Sequence, residues 1–180
     1  MAQSTPNTVF YSKLANSVVT ELKAFGSQSM TASTWSTVTD GTTNASVTIT
    51  PTKTTSKVLI TGCLNFFVAG TAGGSQMYFK LQRNGVDIKV GDAGAGQVQA
   101  TWVTNGRNGG STSTAPLYSI GIFLLDAPAS TSALTYTLQA YTAGSAPTAI
   151  TLYVNEGTVN TDVNTNAVSY SQLAATEVLA

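Results

Sequence analysis

"FKLQRNGVDIKV", residues 79–90, places an Asn-Gly pair between two runs that alternate apolar and polar residues. A type I′ turn needs φ > 0 at both central positions, which Asn and Gly tolerate best, so Asn84-Gly85 predicts a two-residue β-hairpin. In that register Leu81 faces Ile88 and Phe79 faces Val90, on the same side as Met77. The other side carries Lys80 opposite Lys89 and Gln82 opposite Asp87, with Lys80 and Asp87 as diagonal neighbours. Lys80, Arg83, Asp87, Lys89 and Asp92 thus cluster in a chain that has only 8 Lys+Arg and 8 Asp+Glu. A period of two sorts these charges onto one face, and a solvated sheet face explains them without a ligand.

The same alternation extends along the chain. "SVTITP" (46–51) alternates, and "KVLITGCLNFFV" (57–68) puts Val58, Ile60, Leu64, Phe66 and Val68 on one face. "QVQATWVT" (97–104) aligns Val98, Ala100 and Trp102. "LYSIGIFLL" (117–125) is apolar on both faces, the pattern of a central strand or of one beneath a subunit contact. "LTYTLQAY" (134–141) and "TAITLYVN" (148–155) alternate again across the turn-rich "TAGSAP", and "AVSYSQLAATEVLA" (167–180) reads as a last strand. "GDAGAG" (91–96) and "NGRNGGSTSTAP" (105–116) have the composition of surface loops. Strands at this spacing predict an all-β fold, an antiparallel jelly-roll sandwich of about eight strands.

The first 30 residues differ. Phe10, Leu14, Val18 and Leu22 recur every four positions after Pro6, as in a short amphipathic helix, while "SVVTELKAF" reads equally well as a strand. Residues 1–30 are therefore expected to be an N-terminal arm and residues 31–180 the jelly-roll domain. Phe10, Tyr11, Leu14 and Val18 are the candidate docking residues of that arm.

Composition narrows the functional classes. Net charge is +0 and charged residues make up 9% of the chain, against roughly 25% in ordinary soluble domains. No run of Lys or Arg offers a field for a polyanion, which argues against nucleic-acid binding. The longest apolar stretch, "VLITGCLNFFVAG" (58–70), is interrupted by Thr61, Gly62 and Asn65 and is too short for a membrane helix. "MAQSTPNTVF" lacks the pattern of a secretory leader, so none is expected.

Catalytic chemistry has few carriers. With no His and the single Cys63, the usual general base, triad partner and zinc set are missing. Cys63 lies in an apolar run and reads as a small buried hydrophobe. Asp87/Asp92 and Glu156/Asp162 are the close carboxylate pairs, and nothing singles either out as a glycosidase pair. "GDAGAG" lacks the Lys-Ser/Thr of a phosphate loop, and "DGTTN" (40–44) lacks the ligands of a calcium loop. Asn44-Ala45-Ser46 matches a short glycosylation sequon that chance also produces. Trp35, Trp102 and the tyrosines are able to stack sugars, although aromatic residues in sandwich strands more often serve core or interface. No enzyme activity, metal or cofactor is expected.

Several segments in fixed order resemble one family. "ITPTKTTSKVLITGCLNFFV" (49–68) resembles the Thr-Pro…Ser-Lys strand of small jelly-roll domains in virion proteins of tailed bacteriophages. "YFKLQRNGVDI" (78–88), "YSIGIFLLDAPASTSALTYTLQAY" (118–141), "ITLYVN" (150–155) and a terminal strand ending near Thr176-Glu177-Val178 follow in the family's order. "STWSTVTDGTTNASVTIT" (33–50) resembles the family's lead-in strand and favours strand over helix from about residue 18. The resemblance implies a TNF/C1q-like, non-enzymatic virion structural module of the kind found on tail fibres, baseplates and capsid exteriors. With a short arm and no shaft repeat, coiled coil or collagen-like stretch, a homotrimeric capsid decoration (cement) protein is the expectation. Its partners would be itself and the major capsid protein. The alternatives are a tail-fibre or receptor-binding tip that holds a host surface glycan on loops 91–97 and 105–116, and a depolymerase.

Overall fold

A computed structural model describes residues 14–24, 26–31, 33–69, 76–105, 117–142, 150–156 and 169–179. Sheet A contains β1 (Leu14–Leu22), β2 (Gly26–Met30), β5 (Lys57–Ala69), β9 (Tyr118–Asp126), β11 (Ile150–Val154) and β12 (Ser171–Val178). Sheet B contains β3 (Ser36–Thr37), β4 (Ser46–Ile49), β6 (Gln76–Arg83), β7 (Val86–Ile88), β8 (Trp102–Asn105) and β10 (Leu134–Thr142). Every ladder among the described residues is antiparallel.

Short strands lie end to end along a shared neighbour. β12 pairs with residues 57–63 of β5 and β11 with residues 66–69, while β9 runs along the opposite edge. In sheet B, β4 and β3 share one edge of β10, and β7 and β8 share one edge of β6. Each sheet is therefore about four strands across. From β4 onward the chain crosses between the sheets five times, with β6, β7 and β8 kept together in sheet B and β11 and β12 in sheet A, the connectivity of a double-sheet jelly roll. Among the described residues the strands number twelve against about eight expected, because short strands share the edge of one long neighbour.

The core lies between the sheets. Val58, Ile60, Leu64, Phe66 and Val68 of β5 meet Met77, Phe79 and Leu81 of β6, and Phe66 touches Phe79 at 5.0 Å between ring centroids. Each such side chain contributes about 1.5–3 kcal/mol on burial. Gly62 occupies the position in β5 where the inward row has no side chain. A Cβ there would stand 2.2 Å from the Gln172 carbonyl oxygen, so β12 approaches β5 only because residue 62 is Gly. Asp126 of β9 clamps the two sheets: Arg83 Nη1 of β6 and the Tyr136 hydroxyl of β10 donate to its Oδ2 at 2.7 and 2.8 Å. Burial first, and then the Asp126 carboxylate, push the Tyr136 phenol far above its usual range.

The Asn84-Gly85 turn has φ of 49° and 80° at its central residues. Leu81 pairs with Ile88 and Gln82 with Asp87. Asn84 also exchanges hydrogen bonds with Thr135, at 2.8 Å each, which fixes the hairpin against β10. Beyond Ile88 the expected register stops. Lys89 adopts φ 52° and turns the chain away, so Phe79 pairs with Trp102 of β8 and not with Val90. Pairing of the "QVQATWVT" stretch begins only at Trp102.

Residues 14–22 form a strand, not a helix, and pair with β12 at the edge of sheet A. The step from Leu14 to Ser17 contains a register shift that opens the strand to a bulge.

Candidate functional site

The outward face of sheet A is a broad uncharged surface. Register aligns its outward residues in rows across four strands. Val19, Ala174, Thr61 and Phe123 form one row, and Ser17, Thr176, Leu59 and Leu125 the row beside it. On the other side lie Glu21, Gln172, Cys63 and Gly121. Phe123 is 78% exposed, Val19 50% and Leu125 43%. Large apolar side chains on a free sheet face are unusual, because nothing compensates for wetting them.

Relief adds to composition. Phe123 stands two residues from the exposed Gly121 on the same face, so a projecting ring adjoins a position without a side chain. Among the described residues, charge on this face occurs at the margins. Lys57 sits at one end of β5, and Glu21 at a corner pairs with Lys23 and accepts a hydrogen bond from the Tyr170 hydroxyl at 3.0 Å. The Lys23 hydrogen bond, and then that of Tyr170, hold the Glu21 carboxyl below its usual range.

β9 displays both of its faces as the two-sided apolar pattern of residues 117–125 suggests. Ile120, Ile122 and Leu124 point into the core, while Phe123 and Leu125 point out. Val19, Thr61, Ala174 and Gly121 carried no separate signal in the sequence, because their rows exist only once four distant strands are in register.

Of the proposed arm residues, Phe10, Tyr11 and the side chain of Leu14 lie outside the described residues. Val18 sits in β1 opposite the buried Ala175, on the inward side of an open edge, and is 39% exposed. Loop 105–116 lies outside the described residues except for Asn105.

The outward face of sheet B is built differently. Lys80, expected on a wet face, is only 7% exposed. Its Nζ donates to Asp87 Oδ2 at 2.8 Å and stands 4.3 Å from the centre of the Trp35 ring, which covers it. Gln82 Nε2 donates to the other Asp87 oxygen at 2.8 Å. Burial pushes the Asp87 carboxyl up, but hydrogen bonds from Lys80 and Gln82 outweigh it and hold the carboxyl below its ordinary range. Asp87 is thereby engaged in an ion pair with Lys80. Asp162 lies outside the described residues. Among the described residues, no group of three or more Cys, Asp or Glu is placed to hold a metal ion.

No protein-family model matches the sequence, and no curated protein matches it. Solved structures with a similar arrangement include a chain of the T13 IBDV viral particle, at 11% identity and a TM-score of 0.42, with 92% of this chain and 40% of that chain covered. A chain of the infectious bursal disease virus Gt strain is similar at 13% identity and a TM-score of 0.40, with 92% and 43% covered. This chain thus spans about two fifths of the length of those viral chains.

Proposed function

We propose that this protein is a non-enzymatic structural component of a virus particle, a homotrimeric capsid decoration (cement) protein on the particle exterior. The observation that carries this reading is the outward face of sheet A, where Phe123, Leu125, Leu59 and Val19 are presented with no charge between them. Three copies placed around an axis would bury these rows against one another. Such contacts are apolar and so are not screened by salt, which suits a coat that must persist in variable media. The ordered resemblance of residues 31–180 to phage virion jelly rolls supports the same reading.

Attachment falls to the segment before β1 and the start of that strand: Phe10 and Tyr11, with Leu14 and Val18 of β1, are assigned to docking on the major capsid protein or on a neighbouring trimer. Because β1 begins at Leu14, removing residues 1–13 spares every described strand. The truncated protein is expected to remain folded and trimeric but to leave purified particles. Normal occupancy of particles by the truncated protein would defeat the arm assignment.

A tail-fibre or receptor-binding tip is the second reading, and the half-buried aromatic residues outside the core on sheet B favour it. Saturable binding of the purified protein to host cells would support it, whereas labelling confined to the capsid shell would support decoration.

A further inference from the structure

We propose that the outward face of sheet B carries a saccharide-binding groove floored by Tyr78 and Tyr141. The two tyrosines are direct cross-strand partners on β6 and β10, with ring centroids 5.7 Å apart in an edge-to-face arrangement. Trp35 continues the row, 5.1 Å from Tyr141. None of the three belongs to the core cluster, and all are half-buried, so the sandwich does not need them for its interior. The segment 91–100 arches over the same face. It is anchored by Gly91 N to Ala100 O at 3.1 Å, by Gln99 Nε2 to Gly91 O at 2.8 Å, and by Thr101 N to Phe79 O at 2.8 Å. Between the arch and the tyrosines lies an open groove of about 510 Å³, lined by Tyr78, Gly96, Gln97, Val98 and Tyr141. Sites for small molecules typically measure roughly 300–1,000 Å³.

The chemistry of the lining selects the ligand class. A cationic ligand is disfavoured because the Lys80 ammonium already occupies the Trp35 ring. None of the residues lining the groove is a cation, and Lys80 beside it is paired with Asp87, so an anion is disfavoured as well. What remains is a neutral ligand with an apolar face and hydrogen-bonding edges, the description of a pyranose ring. Aromatic faces carry negative quadrupole potential that favours the polarised C–H bonds of a sugar. The Gln97 amide offers both a donor and an acceptor for hydroxyl groups. The turn Gly94–Gln97, closed by Gln97 N to Gly94 O at 3.3 Å with Gly96 at φ 73°, places Gln97 in the lining of the groove.

Saturation-transfer NMR on the full chain, with neutral trisaccharides of glucose, galactose and N-acetylglucosamine as probes, tests the proposal. At least one probe is expected to bind saturably, with transfer strongest to the protons of one sugar face. Tyr141→Ala is expected to weaken binding by roughly tenfold or more, the equivalent of about 1.4 kcal/mol. Gln97→Ala, on the arch and away from every strand, is expected to weaken it severalfold at unchanged melting temperature. Thr54→Ala, in the exposed loop between β4 and β5, is expected to leave it unchanged. Absence of transfer from all three probes, or transfer undiminished in both Tyr141→Ala and Gln97→Ala, would overturn the proposal.

Discussion

The two outward faces of this sandwich obey one rule of alternation and reach opposite outcomes. On sheet A the outward positions of β5, β9 and β12 include Leu59, Thr61, Phe123, Leu125 and Ala174, all uncharged, with Phe123 and Leu125 exposed. On sheet B the corresponding positions of β6, β7 and β10 are Tyr78, Lys80, Gln82, Asp87, Gln139 and Tyr141, hydrogen-bonded and partly roofed by Trp35. The inward faces are alike, because both must fill a single core. The outward faces differ because only they are free to answer to partners. Sheet A has left its surface unsatisfied, as a subunit contact would require, whereas sheet B has satisfied its own polar groups internally.

The comparison presumes that both faces ride on one rigid scaffold, and the largest expected effect comes from cutting the link between the sheets. Asp126→Ala strands the Arg83 guanidinium and the buried Tyr136 hydroxyl, and is expected to cost about 3–5 kcal/mol in urea unfolding. Asp126→Asn, which keeps an acceptor for Tyr136, is expected to cost less.

Sheet B's self-sufficiency is sharpened next. Asp40 at the base of the β3–β4 connection accepts from the backbone N–H groups of Thr42, Thr43 and Ala24 and from the Thr42 hydroxyl. Asp40→Ala is expected to cost about 1–3 kcal/mol through its orphaned donors. Burial raises the carboxyl pKa of both Asp40 and Asp87, but their hydrogen bonds outweigh it and leave the folded-state values lowered. The stability they contribute is present above the unfolded carboxylate value of about 4 and is lost as pH falls through the lower folded value. An acid titration of the melting temperature in the wild type, compared with Asp40→Asn, checks that window.

Glu156 behaves in the opposite sense. It is buried, and burial raises its pKa, so its contribution is favourable while protonated and is lost as pH rises through the raised folded value. Glu156→Gln is therefore expected to raise the melting temperature at pH 8 and to change it less at pH 4. The smallest effect belongs to the hydroxyl pairs on the outside of sheet B. Thr48 and Thr135 lie 2.9 Å apart, oxygen to oxygen, and Thr48→Ala is expected to cost only about 0.2–1 kcal/mol.

Much of the sandwich was legible in residue order. The Asn84-Gly85 pair and the alternation of residues 57–68 are local signals, and a period of two needs no knowledge of distant neighbours. The double-sided apolar run of β9 even marked the surface where Phe123 and Leu125 emerge. The fate of Lys80 was not legible. Its cover, Trp35, lies far away in sequence and arrives only when β3 docks on β10, so a charge read as wet becomes buried and paired. The end of the hairpin was hidden for a similar reason. Lys89 takes a left-handed conformation that its residue type does not announce, and Trp102 claims the place beside Phe79. The helical spacing of Leu14, Val18 and Leu22 was misleading because β1 gains its hydrogen bonds from β12, at the other end of the chain.

The central claim is that sheet A's outward face joins copies of this chain, and sedimentation equilibrium of the wild type beside Phe123→Glu tests it most directly. Phe123 is exposed within one chain, so the substitution leaves the core and the far-ultraviolet circular dichroism unchanged. The account predicts a trimer for the wild type and at least about a hundredfold weaker association for Phe123→Glu, the equivalent of roughly 2.7 kcal/mol. A wild-type protein that stays monomeric at high concentration, or a Phe123→Glu protein that sediments as the same trimer, would contradict it.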